Sequence, residues 1–145
     1  MKAWRSYVDT INDLQHVLEA DVAPFGLTMG DYEVLARLSE PADRQMRMCD
    51  LANQLQLSPS GLTRRLDGLV KHGLVNRHPS ASDRRVMLAV LTDDGLAVLE
   101  RAAPSHVTGV RRHFIDLFSA TEIRALGTAF TKVRAALAAH HASAS

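Results

Sequence analysis

The stretch DLANQLQLSPSGLTRRLDGLVKHG, residues 50–73, holds two short helical patterns separated by a turn. In the first, Leu51, Ala52 and Leu55 share one face between Asp50 and Leu57. Ser58-Pro59 then supplies an N-cap followed by proline at the first helical position, where its missing N–H costs nothing. The second helix buries Leu62, Leu66, Leu69 and Val70, and Gly73 behind Lys71 and His72 stops it. With that face turned inward, Ser60, Gly61, Thr63, Arg64 and Arg65 face outward near the Ser58 cap. Major-groove reading requires such a set: hydroxyls for phosphate or base-edge hydrogen bonds, a glycine permitting close approach, and an arginine able to fork onto guanine O6 and N7.

Downstream of Gly73 the hydrophobic period shortens towards two. Leu74 to His78 and Val86 to Leu91 are expected strands, joined by a polar tip from Pro79 to Arg85 that carries Asp83, Arg84 and Arg85. This hairpin is the only sheet expected, with Arg44 to Met48 at most a short extended piece. Two helices, a tight turn and a hairpin with a basic tip make a winged helix-turn-helix.

Upstream, Trp4, Tyr7, Val8, Ile11, Leu14, Val17 and Leu18 form the stripe of an amphipathic helix from about residue 3 to Val22, ended by Pro24 and Gly26. Thr28 with Asp31 caps a second helix carrying Val34, Leu35 and Leu38, closed by Pro41. Thr92 caps a long helix expected to run to Leu117 with a kink at Pro104. The capping box Ser119-Ala120-Thr121-Glu122 opens the last helix, whose Ile123, Leu126, Phe130, Val133 and Leu137 form a helix-pairing seam. The tail AAHHASAS, residues 138–145, is small and polar and expected to fray. The apolar stripes of the end helices exceed what the small central module covers, and a second copy is the simplest partner. The expected fold is therefore mainly α with a small β-hairpin. A single domain spans 1–145, a winged helix-turn-helix lobe 28–92, and dimerisation helices 1–24 and 93–140.

With 145 residues, 46% hydrophobic and 23% charged, the chain suits one globular domain and excludes a disordered or collagen-like protein. No window approaches the ~18 apolar residues of a spanning helix. Asp9 and Asp13 fall where a signal peptide needs its apolar run, so no membrane partner and a cytoplasmic location are expected. The single cysteine, Cys49, excludes an internal disulfide and a thiolate zinc cage. The net charge of +1 conceals an asymmetry: residues 44–85 hold eight Lys or Arg against three Asp, a balance of +5, and the remainder nine against thirteen, −4. A basic middle between acidic flanks fits a polyanion partner.

Three segments together resemble the MarR family of transcriptional regulators: residues 50–55 leading into 57–64, then Gly73-Leu74-Val75, then Asp83-Arg84-Arg85 with Leu88, Leu91-Thr92 and Gly95. The fifth helix is similar to a branch of that family carrying Ala103-Pro104-x-His106-Val107 and Val110-Arg111-Arg112. The resemblance implies a homodimer joined through its first and last helices. It would read a double-stranded, pseudo-palindromic DNA operator, usually as a repressor released by a small-molecule effector or an oxidant, with no cofactor. Carried over, Ser60, Thr63 and Arg64 match outward positions of the recognition helix, and Arg85 matches the wing arginine that enters the minor groove, oriented by Asp83. Gly68 departs from the arginine of many relatives, which removes one expected phosphate contact. The family's ligand crevice lies between the dimer helices and the DNA-binding lobe, which makes Trp4, Tyr7, His16, Met29 and Tyr32 effector candidates. Packing in the core or dimer is the alternative for Trp4 and Tyr7.

Cys49 precedes Asp50 where relatives often have a capping serine or threonine; it either fills that cap or acts as a thiol switch. His106 and His113 lie two helical turns apart with Asp116 beyond, but a metal there would need ligands from other helices, so no metal is expected. No Gly-x-Ser-x-Gly elbow, phosphate loop, His-Glu-x-x-His or dinucleotide fingerprint occurs, and no enzyme is expected. Outward Arg64, Arg65, Arg84 and Arg85 argue against a protein-interaction module that has lost DNA binding.

Overall fold

Ser58 closes the turn on which the central lobe is built: its Oγ accepts the Gly61 N–H at 3.1 Å, and Pro59 follows as the first residue of α4 (Pro59–Lys71). The preceding helix, α3 (Met48–Gln54), reaches that turn through Gln56, whose φ of 54° is left-handed. This conformation costs a residue with a β-carbon roughly 1–2 kcal/mol, and burial on either side offsets it. Leu51 and Ala52 of α3 and Leu62, Leu66 and Leu69 of α4 are buried together, each full leucine burial contributing about 1.5–3 kcal/mol.

The computed structural model describes residues 1–143. Its backbone contacts divide the chain within the fifth helix, into one unit of Met1–Val107 and a second from Thr108 onward.

In the first unit, α1 (Lys2–Val22) delivers only Val22 to the core. Beyond a short 3-10 turn at Ala23–Phe25, Thr28 and Asp31 form the capping box of α2 (Met29–Ser39): Oγ1 of Thr28 accepts the Asp31 N–H at 3.1 Å and the Asp31 carboxylate accepts the Thr28 N–H at 3.0 Å. The Glu19 carboxylate accepts the Met29 N–H at 2.8 Å and so ties the end of α1 to the first turn of α2. Val34, Leu35 and Leu38 of α2 complete the core with Leu27, Val75, Ala89 and Leu91.

The sheet corrects the expectation of a lone hairpin, because it has three antiparallel strands in the order β1-β3-β2: β1 (Gln45–Arg47), β2 (Val75–Pro79) and β3 (Met87–Leu91). Ala89 sits between Met46 on one side and Arg77 on the other. Arg44, at φ 53°, turns the chain so that its carbonyl accepts the Leu91 N–H at 2.9 Å, which starts the extra ladder. A two-stranded ribbon alone is marginal, and the third strand covers the open edge of β3.

Thr92 then joins three elements. Its N–H donates to the Leu74 carbonyl at 3.1 Å, its hydroxyl donates to the Gly73 carbonyl at 2.8 Å, and the same Oγ1 accepts the Gly95 N–H at 2.9 Å to cap α5 (Asp93–His113). A β-carbon on Gly95 would collide with the Leu74 backbone oxygen and lie 2.8 Å from a Leu91 methyl. The spacing Leu-Thr-x-x-Gly thus records where a helix passes against backbone.

In the second unit, the last turn of α5 ends at His113 rather than Leu117, because Phe114 leaves helical geometry (φ −139°, ψ −69°) and a 3-10 turn follows at Ile115–Leu117. Phe114 and Phe118 meet edge to face at 5.2 Å, and Arg111 pairs with Asp116 at 2.7 Å. Ser119 and Glu122 form the expected box: the Glu122 carboxylate accepts the Ser119 hydroxyl at 2.7 Å and the Ser119 N–H at 2.8 Å, and these bonds, the hydroxyl's first, hold its carboxyl below the ordinary value. The last helix, α6 (Ala120–Ser143), continues through most of the tail expected to fray, and residues 144 and 145 lie outside the described residues.

Candidate nucleic-acid interface

Ser58, Ser60, Thr63 and Arg64 are exposed along the first two turns of α4. Thr63 donates its hydroxyl to the Pro59 carbonyl at 3.0 Å, and Ser58 and Ser60 share a hydrogen bond at 3.2 Å, so these hydroxyls are held but keep accepting lone pairs. Gly61 is half-buried, and a β-carbon there would press on Ser58 Oγ at 3.1 Å. Among the described residues no hydrogen bond or ion pair joins Arg64, which leaves its fork available.

Arg65 corrects the reading that made it an outward companion of Arg64. It is half-buried, and its guanidinium lies against α2 where a side chain on Gly30 would begin. A single helical step of about 100° separates the two arginines, and the absent β-carbon of Gly30 makes room for the second.

At the wing tip, Arg85 donates from Nε to Oδ1 of Asp83 at 3.1 Å and from Nη2 to Oδ2 at 3.2 Å, while its backbone N–H reaches Oδ1 at 3.0 Å. These bonds hold the Asp83 carboxyl below its ordinary value, chiefly through the Arg85 side chain. Even so, 91% of the Arg85 side chain is exposed, and Arg84 beside it is exposed too. The wing is fastened to α4 by an ion pair that no motif signalled, Arg77 of β2 to Asp67 at 2.8 Å. Between α3, α4 and the wing lies a cavity of about 440 Å³, lined among others by Arg47, Cys49, Leu62, Thr63 and Arg85. Cys49 is the second residue of α3 and exposed; Arg47 occupies the N-cap without a side-chain bond, so the capping role expected of Cys49 is corrected.

The effector candidates do not converge. Trp4 and Tyr7, their rings 5.8 Å apart, stand exposed at the start of α1, and His16 is exposed further along it. Met29 and Tyr32 lie half-buried beside the core at the other end, where Glu19 meets α2. Fifteen residues of helix, about 22 Å, separate Trp4 from Glu19. The companion of Tyr32 is His106, which the sequence had grouped with His113 and Asp116: the rings are 4.5 Å apart. Burial lowers the His106 pKa against the pull of the Asp21 and Glu33 carboxylates, and burial raises that of Tyr32. His106 Nδ1 and Asp21 Oδ2 are both buried without a hydrogen-bond partner. Among the described residues no cluster has the makeup of a metal site, and no helix is long and apolar enough to cross a membrane.

A helix pair with an exposed hydroxyl-and-arginine face, backed by a three-stranded sheet that presents a clamped arginine, defines a winged helix-turn-helix transcription regulator of the DNA-binding class. The model of the MarR family matches residues 27–87. The chain is 42% identical to AbsC of Streptomyces coelicolor, a MarR family transcriptional regulator, with a TM-score of 0.91 over 94% of this chain and 93% of that one. It is 33% identical to Sco3205 from the same organism, a MarR family regulator solved in complex with DNA, with a TM-score of 0.90 over 93% of this chain and 88% of that one. It is also 27% identical to the transcriptional repressor YetL of Bacillus subtilis over 92% of this chain and 81% of the relative. The chain belongs to the MarR family. These relatives are regulators, in keeping with the expectation that the protein is not an enzyme.

Proposed function

We propose that the protein is a cytoplasmic, ligand-responsive repressor that binds a pseudo-palindromic operator as a homodimer. The observation that carries the reading is the wing-tip pair, in which Asp83 holds three bonds to Arg85 and yet leaves 91% of that side chain in solvent. An arginine so oriented suits a narrow minor groove, which attracts it electrostatically. On the same lobe, α4 would enter the major groove with Ser58, Ser60, Gly61, Thr63 and Arg64 towards the bases and phosphates, and Arg84 would add charge at the wing. Sco3205, solved with DNA, and YetL, named a repressor, support the direction of the reading.

Residues 1–145 would act as one MarR-type domain, with 28–92 as the DNA-binding lobe and residues 1–24 and 93–140 as the dimerising helices. Exposed Trp4 and Tyr7 on α1 and Phe130, Val133 and Leu137 on α6 support a second copy, since an isolated protein rarely leaves such residues in water. Of the effector candidates, Met29 and Tyr32 would line a site that includes His106, whereas Trp4, Tyr7 and His16 belong to the exposed length of α1. Enrichment of bound fragments from a random duplex library tests the function. A two-fold motif with half-site centres about 10–10.5 bp apart is expected. Recovery of unenriched sequence, or no retention on DNA at low salt, contradicts it.

A further inference from the structure

We propose that Gly30 is a specificity-determining position: it seats the Arg65 guanidinium against α2 and so withholds one of two adjacent positive charges from the DNA-facing side of α4. The inference rests on the reading that α4 meets DNA. A β-carbon built on Gly30 falls inside the Arg65 guanidinium, so the seat exists only because this residue has no side chain. Gly30 is the second residue of α2, in its first turn. Among the described residues no ion pair joins Arg65; the Asp31 carboxylate in the same first turn of α2 accepts the N–H and hydroxyl of Thr28 and keeps its negative charge, which offsets the helix terminus's repulsion of a cation. The seat requires the room that Gly30 leaves, and filling that room sends the Arg65 charge outward beside exposed Arg64.

The consequence concerns discrimination rather than fold. A cation added to the outward face contacts phosphates on any sequence, so it raises affinity for all DNA and steepens the dependence on salt without favouring the correct operator.

The test measures binding of the full-length protein to two duplexes, the fragment enriched from a random library and a mixed-sequence duplex of equal length, across a salt series. Gly30→Ala is expected to tighten mixed-sequence binding several-fold and to steepen the salt slope by about one per subunit. Arg65→Gln alone is expected to change either affinity less than two-fold, and in the double variant the Gly30→Ala effect is expected to vanish. Gly30→Ser, which also introduces a β-carbon, repeats the measurement should alanine disturb folding. A Gly30→Ala protein indistinguishable from the native one overturns the proposal, as does an effect that survives Arg65→Gln or a native Arg65 whose loss costs a full charge on the slope. If the native protein binds neither duplex, the DNA-binding reading falls and this proposal falls with it.

Discussion

Asp83 and Arg85, two residues apart at the wing tip, are joined by a two-pronged side-chain contact at 3.1 and 3.2 Å with the backbone N–H of Arg85 closing a third bond at 3.0 Å. An exposed ion pair contributes little to stability, so the contact matters for where it points the guanidinium. Asp83→Asn keeps the shape and removes the charged fork. It is expected to weaken operator binding in the native background and to have no effect in Arg85→Ala, as a double-mutant cycle reads it. Equal effects in the two backgrounds would show that Asp83 does not act through Arg85.

Two glycines are expected to move stability in opposite directions. Gly95→Ala forces a methyl against the Leu74 backbone and a Leu91 side chain and is expected to cost about 1–3 kcal/mol. Gly68 sits exposed inside α4 with nothing within 4 Å of a built β-carbon, so Gly68→Ala is expected to gain up to about 1 kcal/mol. Thermal melts of both variants check the pair of signs.

His106 makes stability depend on pH. Its folded pKa lies below the ordinary 6.5, so the unfolded chain takes up a proton first. The neutral ring carries no penalty above that value; as pH falls through 6.5 towards the folded pKa, stability is lost, and below both values the loss is complete. His106→Gln is expected to flatten this part of the curve. A denaturant-midpoint series in which the native and variant slopes stay parallel would remove His106 as the cause.

Light scattering at micromolar concentration is expected to find a dimer. Leu137 is 55% exposed on α6, and Leu137→Asp is expected to shift the population towards monomer while leaving the helical content unchanged. A native monomer would show that the apolar faces of α1 and α6 serve something else.

Local chemistry made much of the fold legible. Ser58-Pro59, the two capping boxes and the change of period after Gly73 each act within a few residues, and the elements stand where those signals put them. What escaped depends on distance in the chain. The third strand needs Arg44 in a left-handed turn and an edge of β3 more than forty residues on, and no periodicity announces a three-residue strand. Likewise, the Asp67–Arg77 pair and the tilted Tyr32–His106 ring contact join different elements. Arg65 was misread because helical spacing gives the angle of a side chain but not the space beside it, and that space is decided by Gly30, thirty-five positions earlier.

The most direct measurement of the docking is the affinity of Arg64→Ala and Arg85→Ala across the enriched operator and its single-base variants, repeated over a range of salt. Arg64 on α4 is expected to lose about 1–3 kcal/mol and to relax preference at one base pair per half-site. Arg85 on the wing is expected to weaken binding to all variants alike and to flatten the salt slope by about one per subunit, with specificity altered only in A·T-rich flanks. Identical base profiles for the two variants, or full affinity in both, would contradict a recognition helix in the major groove with its wing in the minor groove.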